Sequence, residues 1–255
     1  MQPTAPRNTP NSRLWSVYQY GTMVLGLSSF ALVCLGSVPL FSLLYLLLPR
    51  ARHKRAARGV ISRAFRFYLL ILRWTCATRC DTWELDALGE DVPLIVIANH
   101  PSLLDAVILL SRLPNAACIM KAGLLNNPLF GIAARMAGYA SNASASEMIA
   151  SSCDVLADGA QLVVFPEGGR SREFPVSPFG SACTLLARAT KTPIQTVFLD
   201  YSSPYLGKHW GLFSPPQLPL HIQARVGKRI APGELRPSTL RELETYFRAG
   251  VTLRS

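Results

Sequence analysis

The segment from Leu14 to Pro49 contains no charged residue, and this feature constrains the fold more than any other part of the chain. Residues 24–48 are mostly Leu, Val, Phe, Gly and Ser, a longer run than the roughly 20 residues with which an α-helix crosses a bilayer. The run is too long for a signal peptide, and no small-residue cleavage site follows it. We therefore expect a membrane helix at residues 14–49, in preference to a buried core helix, after a flexible tail at residues 1–13.

Pro39 and the charges around the apolar segment bear on its topology. The proline is expected either to kink one tilted span or to mark the bend of a re-entrant helical hairpin. The basic block R-A-R-H-K-R follows at residues 50–55, whereas only Arg7 and Arg13 precede the segment. By the positive-inside rule the basic block lies in the cytoplasm. We therefore expect the protein in the inner (cytoplasmic) membrane, with its main domain on the cytoplasmic side.

Positive charge is concentrated in the first third of the chain. Residues 1–80 hold eleven Lys or Arg and no acid, and the first acidic residue is Asp81. The other 15 basic residues are matched by 15 acidic ones, so the net charge of +11 belongs to the first 80 residues. Such a block suits either nucleic acid or an anionic membrane surface. Because it adjoins the apolar segment, we expect anionic membrane lipids as partners and no nucleic acid.

Residues 55–74 have the periodicity of an amphipathic helix. Arginines recur on one side, and apolar and aromatic residues recur on the other. A helix of this kind suits the headgroup layer of a membrane, so we assign residues 50–79 to a basic interfacial segment. The alternative is a solvated helix that packs on its own domain. The two sets of residues are Arg55, Arg58, Arg66 and Arg73, and Ile61, Ala64, Phe65, Tyr68 and Leu72.

From residue 80 onward, short apolar runs alternate with helical patterns. This alternation predicts an α/β domain over residues 80–255, with one mixed, mainly parallel sheet and helices on both faces. Capping-box spacing occurs at Ser144 with Glu147 and at Thr239 with Glu242. Strands are predicted at 83–88, 93–98, 117–121, 139–142, 161–165, 194–200 and 220–226, and helices at 103–110, 126–138, 144–157, 180–190 and 239–248.

The turn after the strand at residues 93–98 carries a candidate catalytic pair. Pro101 favours an extended conformation at His100. Ser102 is a good N-cap, so Asp105 falls in the first turn of the next helix. The carboxylate can then hold one imidazole nitrogen and leave the other free as a base. The simpler alternative is a chance histidine at a helix start, where the helix dipole favours the aspartate.

A second motif, F-P-E-G-G-R at residues 165–170, also follows an apolar strand. Together with N-H-x-x-x-x-D at residues 99–105, it resembles the motifs of the glycerolipid acyltransferases, the lysophosphatidic acid acyltransferase-like family. The resemblance implies membrane-bound transfer of a fatty acyl group from acyl-CoA or acyl carrier protein to a lysolipid hydroxyl. The default acceptor is 1-acylglycerol-3-phosphate, in phospholipid biosynthesis. Glu167 and Arg170 are implied to help bind this acceptor.

The chemistry of the residues is consistent with direct acyl transfer. No G-x-S-x-G nucleophile motif is present, so His100 is expected to deprotonate the acceptor hydroxyl while Asp105 fixes its tautomer. The six cysteines form no C-x-x-C motif and the four histidines do not cluster with them, so we expect no metal and no cofactor besides the thioester co-substrate. Oxyanion donors are expected among the backbone N–H groups around Gly168 and Gly169. The candidate acceptor-binding residues are Glu167, Gly168, Gly169, Arg170 and Arg172, with Lys121 as a possible anion contact.

The chain departs from the family pattern at three places. Gly169 stands where Thr or Ser is usual, Thr196 stands where Pro is usual, and the second motif near residues 138–144 has no Arg. In the family that arginine often contacts the acceptor phosphate. A non-phosphate lysolipid with an amino-acid head group, or another hydroxylated acyl acceptor, is therefore an alternative. Two other classes remain open: a hydrolase that uses the same pair on water, and a catalytically silent membrane-binding protein.

Overall fold

Two long helices precede the sheet in the computed structural model, which describes residues 13–90, 92–127, 131–211 and 213–251. Helix α1 spans Arg13–Leu47 and helix α2 spans Arg50–Thr75. The tail predicted at residues 1–13 lies outside the described residues except for Arg13. The chain reverses between the two helices, and Pro39 lies inside the continuous α1. A hairpin bend at Pro39 is therefore wrong: the chain turns where extended backbone at Pro49 separates the helices.

Helix α1 is long and apolar enough to cross a membrane, judged by length and composition. Its 35 residues correspond to roughly 50 Å of helix, more than the ~30 Å of a hydrocarbon core. It packs along α2 in antiparallel fashion, with Phe30 against Tyr68 and, towards the turn, Tyr45 against His53. Most of the remaining α1 surface is apolar and uncovered by protein, including Leu14, Leu32 and Leu46. The hairpin therefore presents a large apolar surface to its surroundings.

Helix α2 has the predicted amphipathic character, but it contacts protein on two sides. Tyr68 and Leu72 are buried between α1 and the domain, as expected for the apolar side. Arg58, predicted on the basic side, is also buried. Its guanidinium donates hydrogen bonds to the Ala137 carbonyl (2.8 Å) and to Asn115 Oδ1 (3.2 Å). Its assignment to a headgroup-facing side is thus wrong, because α2 packs on its own domain at this point.

The domain is built on a seven-stranded sheet with the order β1-β7-β6-β2-β5-β3-β4. All neighbouring strands are parallel except β6 and β7, which confirms the predicted mixed, mainly parallel sheet. Strand β1 joins the sheet through parallel pairing with β7, and the predicted domain boundary at residue 80 falls inside it. The strands are β1 Thr78–Asp81, β2 Leu94–Ala98, β3 Ala116–Met120, β4 Ala140–Ser141, β5 Gln161–Val164, β6 Ile194–Tyr201 and β7 Leu220–Ile230.

One predicted strand is wrong. Residues Trp83–Leu88 form a 3₁₀ helix, while β1 precedes them in a stretch for which no strand was predicted. Leu85 and Leu88 are the buried residues of this segment, and their spacing of three matches one 3₁₀ turn rather than the alternation of a strand.

Helices cover both faces of the sheet, as predicted. Every residue of β2 is buried, with Leu94, Val96 and Ala98 in the core on one face and Ile95 and Ile97 in the core on the other. This explains why β2 reads as a continuous apolar run. Helices α2 and α3 lie on the first face, and α6, α7 and α8 pack on the second. The remaining helices are α3 Leu104–Arg112, α4 Ala122–Leu125, α5 Gly131–Met136, α6 Ala145–Ala157, α7 Ala182–Thr190 and α8 Thr239–Gly250.

Helix ends follow the sequence signals in part. Ser144 caps α6 by accepting the Glu147 N–H at 3.1 Å, as predicted. The start of the helix predicted at residues 126–138 includes Pro128, which lies outside the described residues. The capping box at Thr239 is wrong because Ser238 is the N-cap of α8, and its hydroxyl donates to Glu242 at 2.6 Å.

Candidate active site

His100 and Asp105 meet on the turn that connects β2 to α3, as the sequence predicts. His100 Nδ1 lies 2.7 Å from Asp105 Oδ2, and the same carboxylate oxygen accepts the Ser102 N–H at 2.8 Å. Ser102 is not the N-cap of α3, because the helix starts one residue later than predicted. Its hydroxyl still accepts the Leu104 N–H at 3.2 Å. The turn and the helix start therefore fix the carboxylate under the imidazole.

Asp105 is fully buried and has hydrogen bonds on both oxygens. Tyr201, the last residue of β6, donates its hydroxyl to Asp105 Oδ1 at 2.5 Å. Burial raises the pKa of the Asp105 carboxyl above its usual value, while hydrogen bonds from His100, Tyr201 and Ser102 oppose that rise. The carboxylate is thus held in an apolar setting by three donors.

The imidazole of His100 is oriented from two directions. The Phe165 ring stacks on it with 4.0 Å between ring centroids and 16° between planes. Asp105 holds Nδ1, and within the described ranges no side chain or backbone group hydrogen-bonds to Nε2. The His100 side chain is 15% exposed, so Nε2 is the nitrogen available to a substrate.

Glu167 ties the F-P-E-G loop to the histidine turn. Its Oε1 accepts the His100 N–H at 2.9 Å and the Ser171 hydroxyl at 2.8 Å, and its Oε2 accepts the Ser177 N–H at 2.7 Å. The Ser171 N–H in turn donates to the His100 carbonyl at 2.7 Å. Both backbone groups of His100 are therefore held by this loop. The carboxylate predicted to bind acceptor is engaged with protein donors.

The two glycines of the second motif differ in what their N–H groups do. Gly168 has φ +68°, a left-handed conformation that favours glycine, and its N–H donates to the Phe165 carbonyl at 3.0 Å. Gly168 therefore closes a turn, which argues against its N–H as an oxyanion donor. In the described part of the chain the Gly169 N–H has no such bond, and it remains the candidate of the pair.

The predicted basic residues are placed at different distances from the pair. Arg170 Nη1 donates to the Leu206 carbonyl at 3.0 Å and to the Gly207 carbonyl at 2.7 Å, which anchors a neighbouring loop. That loop also contacts the histidine turn, because the Leu103 N–H donates to the Leu206 carbonyl. Arg172 is exposed, and Lys121 lies beyond β3, two strands and roughly 10 Å from β2. The structure thus brings Arg170 close to the pair and leaves Lys121 apart from it.

Two residues of the site were missed by sequence reasoning. The Asn99 amide donates to the Leu199 carbonyl and accepts the Leu199 N–H, both at 2.8 Å, and so joins the ends of β2 and β6. The available signal was an amide at a strand end, which offers both a donor and an acceptor. Tyr201 had only a weak signal, since its proximity depends on β6 being the neighbour of β2.

Comparison with known proteins shows that this chain is similar in sequence to acyltransferases. The Acyltransferase family model matches residues 82–200. A chloroplastic 1-acyl-sn-glycerol-3-phosphate acyltransferase of Brassica napus is 29% identical over 44% of this chain and 34% of its own length. A 1-acyl-sn-glycerol-3-phosphate acyltransferase of Chlamydomonas reinhardtii is 25% identical over 59% of this chain and 47% of its own length. The chain thus spans between a third and a half of these relatives.

A solved structure extends the likeness to the whole fold. The 1-acyl-sn-glycerophosphate acyltransferase PlsC from Thermotoga maritima superposes with a TM-score of 0.67 at 18% identity. The alignment covers 93% of this chain and 95% of that one, so it includes most of the N-terminal hairpin. The motifs at residues 99–105 and 165–170 both lie inside residues 82–200, the region in which this chain is similar to the Acyltransferase family.

Proposed function

We propose that this protein is a membrane-bound O-acyltransferase that moves a fatty acyl group from an acyl thioester to the hydroxyl of a lysolipid. The observation that carries the proposal is the buried Asp105 holding His100 Nδ1 while Nε2 has no partner in the described part of the protein. This leaves one oriented base and no protein nucleophile motif, a combination that suits direct transfer between two substrates.

In the proposed mechanism His100 Nε2 takes the proton of the acceptor hydroxyl as its oxygen attacks the thioester carbonyl. Asp105 stabilises the imidazolium that forms. The tetrahedral intermediate then expels the thiolate, which receives the proton from His100, so the products are an ester and a free thiol. The Gly169 N–H is the candidate donor to the oxyanion. The described residues contain no group of three or more His, Cys, Asp or Glu suited to a metal, and the mechanism proposed uses neither metal nor prosthetic group.

The default acceptor is 1-acylglycerol-3-phosphate, and the donor is acyl-CoA or acyl carrier protein. The names of the matched relatives support the acceptor, and Arg170 near the pair supplies a cation for its phosphate. A phosphate-free lysolipid is the second candidate because residues 138–144 contain no arginine.

We also propose that the hairpin of α1 and α2 attaches the enzyme to the cytoplasmic face of the inner membrane. The uncovered apolar surface of α1 supports insertion into the lipid, and the basic residues at 50–55 favour the cytoplasmic side. This arrangement brings lysolipid acceptors and water-soluble thioesters to the same domain.

The test is an acyl-transfer assay with the full chain in membranes. Labelled acyl-CoA and acyl carrier protein thioesters are offered with 1-acylglycerol-3-phosphate, with a phosphate-free lysolipid and with no acceptor. We expect acceptor-dependent ester formation, which His100→Ala lowers by about 10²–10⁴-fold. His221→Ala, a histidine on β7, two strands from β2 in the sheet, is the matched control and should retain activity.

The competing functions give different results in the same assay. Release of free fatty acid that does not depend on an acceptor indicates a hydrolase. No turnover of either thioester indicates a binding protein. Transfer by His100→Ala at the wild-type rate would overturn the mechanism.

A further inference from the structure

We propose that Tyr201 is a positioning residue that keeps Asp105 ionised and aligned beneath His100. The inference deepens the proposed function and rests on it. Tyr201 acts through Asp105, since its hydroxyl bonds to the carboxylate oxygen that does not face the imidazole.

Tyr201 donates the hydrogen bond that satisfies one of the two carboxylate oxygens of Asp105. Asp105 Oδ2 has two donors, His100 and Ser102, whereas in the described ranges Tyr201 is the only donor to Oδ1, at 2.5 Å. Asp105 is 0% exposed and Tyr201 is 5% exposed, so water cannot readily replace the hydroxyl. A buried carboxylate oxygen without a donor carries a large desolvation penalty.

The groups around Tyr201 and Asp105 determine how loss of the Tyr201 hydroxyl changes the pH at which the His100–Asp105 pair binds a proton. Besides Asp105, the groups that act electrostatically on the Tyr201 hydroxyl are Ser102 and Cys80 of β1, and none of them is basic. The working state, with neutral His100 and ionised Asp105, carries one negative charge that the Tyr201 O–H stabilises. Without that O–H the pair binds a proton at higher pH, whichever of the two groups receives it.

The experiment compares Tyr201→Phe with the wild type in the full-length protein. Phenylalanine keeps the ring and removes only the oxygen. We expect kcat to fall roughly tenfold, the scale of one hydrogen bond to a charged group, with acceptor KM little changed. The acidic limb of the kcat profile should move to higher pH. Tyr205→Phe is the control, because Tyr205 is also buried but, in the described part of the chain, its hydroxyl does not hydrogen-bond to Asp105.

A double-mutant cycle separates positioning from general damage to the fold. In an Asp105→Asn background, Tyr201→Phe should have little further effect on kcat, because its target is already altered. Equal losses in both backgrounds, or an unmoved acidic limb, would overturn the role of Tyr201. If His100→Ala abolishes transfer while Tyr201→Phe leaves kcat and its pH profile unchanged, only this inference fails. If His100→Ala stays active, the proposed function itself fails.

A second inference comes from a groove between α1 and α2. It has a volume of about 750 Å³ and is lined mainly by apolar side chains and small residues, including Leu32, Gly36, Leu40, Val60 and Phe67, together with the charged Arg63. Leu32 and Phe67 are more than half exposed. A cavity of this size falls in the range that holds small-molecule ligands.

We infer that this groove binds one acyl chain of an anionic phospholipid. The apolar lining suits a hydrocarbon chain, and Arg63 supplies the charge for a phosphate. The Arg63 guanidinium extends towards Gly59, at the end of the groove nearer the basic α1–α2 turn. Arg63 forms no ion pair within the described residues, and residues 1–80 contain no acid that could neutralise it. Charge complementarity therefore favours an anionic headgroup over a neutral one.

The test uses two glycines of α1 whose added side chains meet open space. A Cβ at Gly36, inside the groove, or at Gly21, outside it, meets no atom within 4 Å. Gly36→Leu should fill the groove, while Gly21→Leu adds the same apolar surface elsewhere. The full chain in mild detergent is mixed with phosphatidylglycerol or phosphatidylcholine of the same chains, and bound lipid is counted by native mass spectrometry.

We expect one phosphatidylglycerol per protein in the wild type and in Gly21→Leu, and a loss of at least several-fold in Gly36→Leu. Arg63→Gln should remove the preference for phosphatidylglycerol over phosphatidylcholine. Equal retention by the two glycine variants would overturn the site. A preference that survives Arg63→Gln would overturn the role of the arginine. This measurement needs no enzymatic turnover, so it stands apart from the acyl-transfer proposal.

Discussion

At the scale of single residues, the two motifs contain one histidine with an unbonded ring nitrogen and several residues whose hydrogen bonds hold its turn. His100 is the residue with a free functional atom, whereas Asn99 and Glu167 are consumed by hydrogen bonds that hold its turn in place. Glu167 illustrates this best, because its two oxygens accept three bonds from His100, Ser171 and Ser177. A carboxylate at this position provides two acceptor oxygens for these donors. This role does not require contact between Glu167 and the acceptor substrate.

Glu167→Gln tests this interpretation. The glutamine amide has one acceptor oxygen in place of two. Its NH₂ group then faces a protein donor, which is either the Ser177 N–H or the pair of donors from His100 and Ser171. We expect the free energy of unfolding to fall by about 1–3 kcal/mol, the cost of one unmade buried bond. Because the His100 turn loosens, kcat should fall for every acceptor with acceptor KM little changed.

Glu173→Gln is the control, since Glu173 is exposed in the same loop. A specific rise in acceptor KM at wild-type stability would instead support the direct acceptor-binding role that the family resemblance implies for Glu167. Thermal unfolding and steady-state kinetics on both variants give the answer.

The contact between His100 and Asp105 could be predicted from sequence, and its full environment could not. His100 and Asp105 lie within one strand–turn–helix unit, so local rules bring them together. Tyr201 is 96 residues from Asp105, and their contact depends on β6 lying beside β2. Local patterns predict that β6 exists, but its neighbour in the sheet is decided by packing of the whole domain.

At the scale of secondary structure elements, α2 shows which features of a helix sequence periodicity predicts and which it does not. The apolar and basic sides were assigned correctly in outline, yet Arg58 faces inward and Arg55 faces outward. A helical wheel identifies which residues share a side, and it does not tell which side meets protein. Here an arginine long enough to reach the Ala137 carbonyl and the Asn115 amide fills a contact between helix and domain.

Arg58→Ala should therefore weaken the attachment of α2 to the domain. It leaves the Ala137 carbonyl and Asn115 Oδ1 without this donor and removes an ion pair with Asp158 at 3.8 Å. We expect a loss of about 2–3 kcal/mol in the free energy of unfolding. Arg55→Ala removes the same charge from an exposed position and should change stability by less than about 0.5 kcal/mol. Equal unfolding midpoints for the two variants in detergent would contradict the anchoring role.

At the scale of the whole molecule, the excess positive charge and the exposed apolar surface of α1 lie in the same part of the chain. The net charge of +11 resides in residues 1–80, and the uncovered apolar surface of α1 is in the same segment. Helix α2 lies on one face of the sheet, and helices α7 and α8 lie on the other. Binding to a membrane should thus depend on the hairpin side and be insensitive to basic residues on the opposite face.

Two triple variants test this asymmetry with the same change in charge. Arg50, Arg52 and Arg55 are exposed beside the α1–α2 turn, whereas Arg188, Lys191 and Arg241 are exposed on or beside α7 and α8. Each basic residue near an anionic bilayer contributes about 1 kcal/mol, so replacing the first three with Gln should weaken binding to phosphatidylglycerol vesicles by roughly 10²-fold. The second replacement should leave binding nearly unchanged. Added salt should reduce the difference, and binding to neutral phosphatidylcholine vesicles should be similar for both variants, because the apolar surface of α1 is intact. Vesicle co-sedimentation at several salt concentrations measures these quantities, and equal weakening by the two triple variants would contradict the proposed orientation.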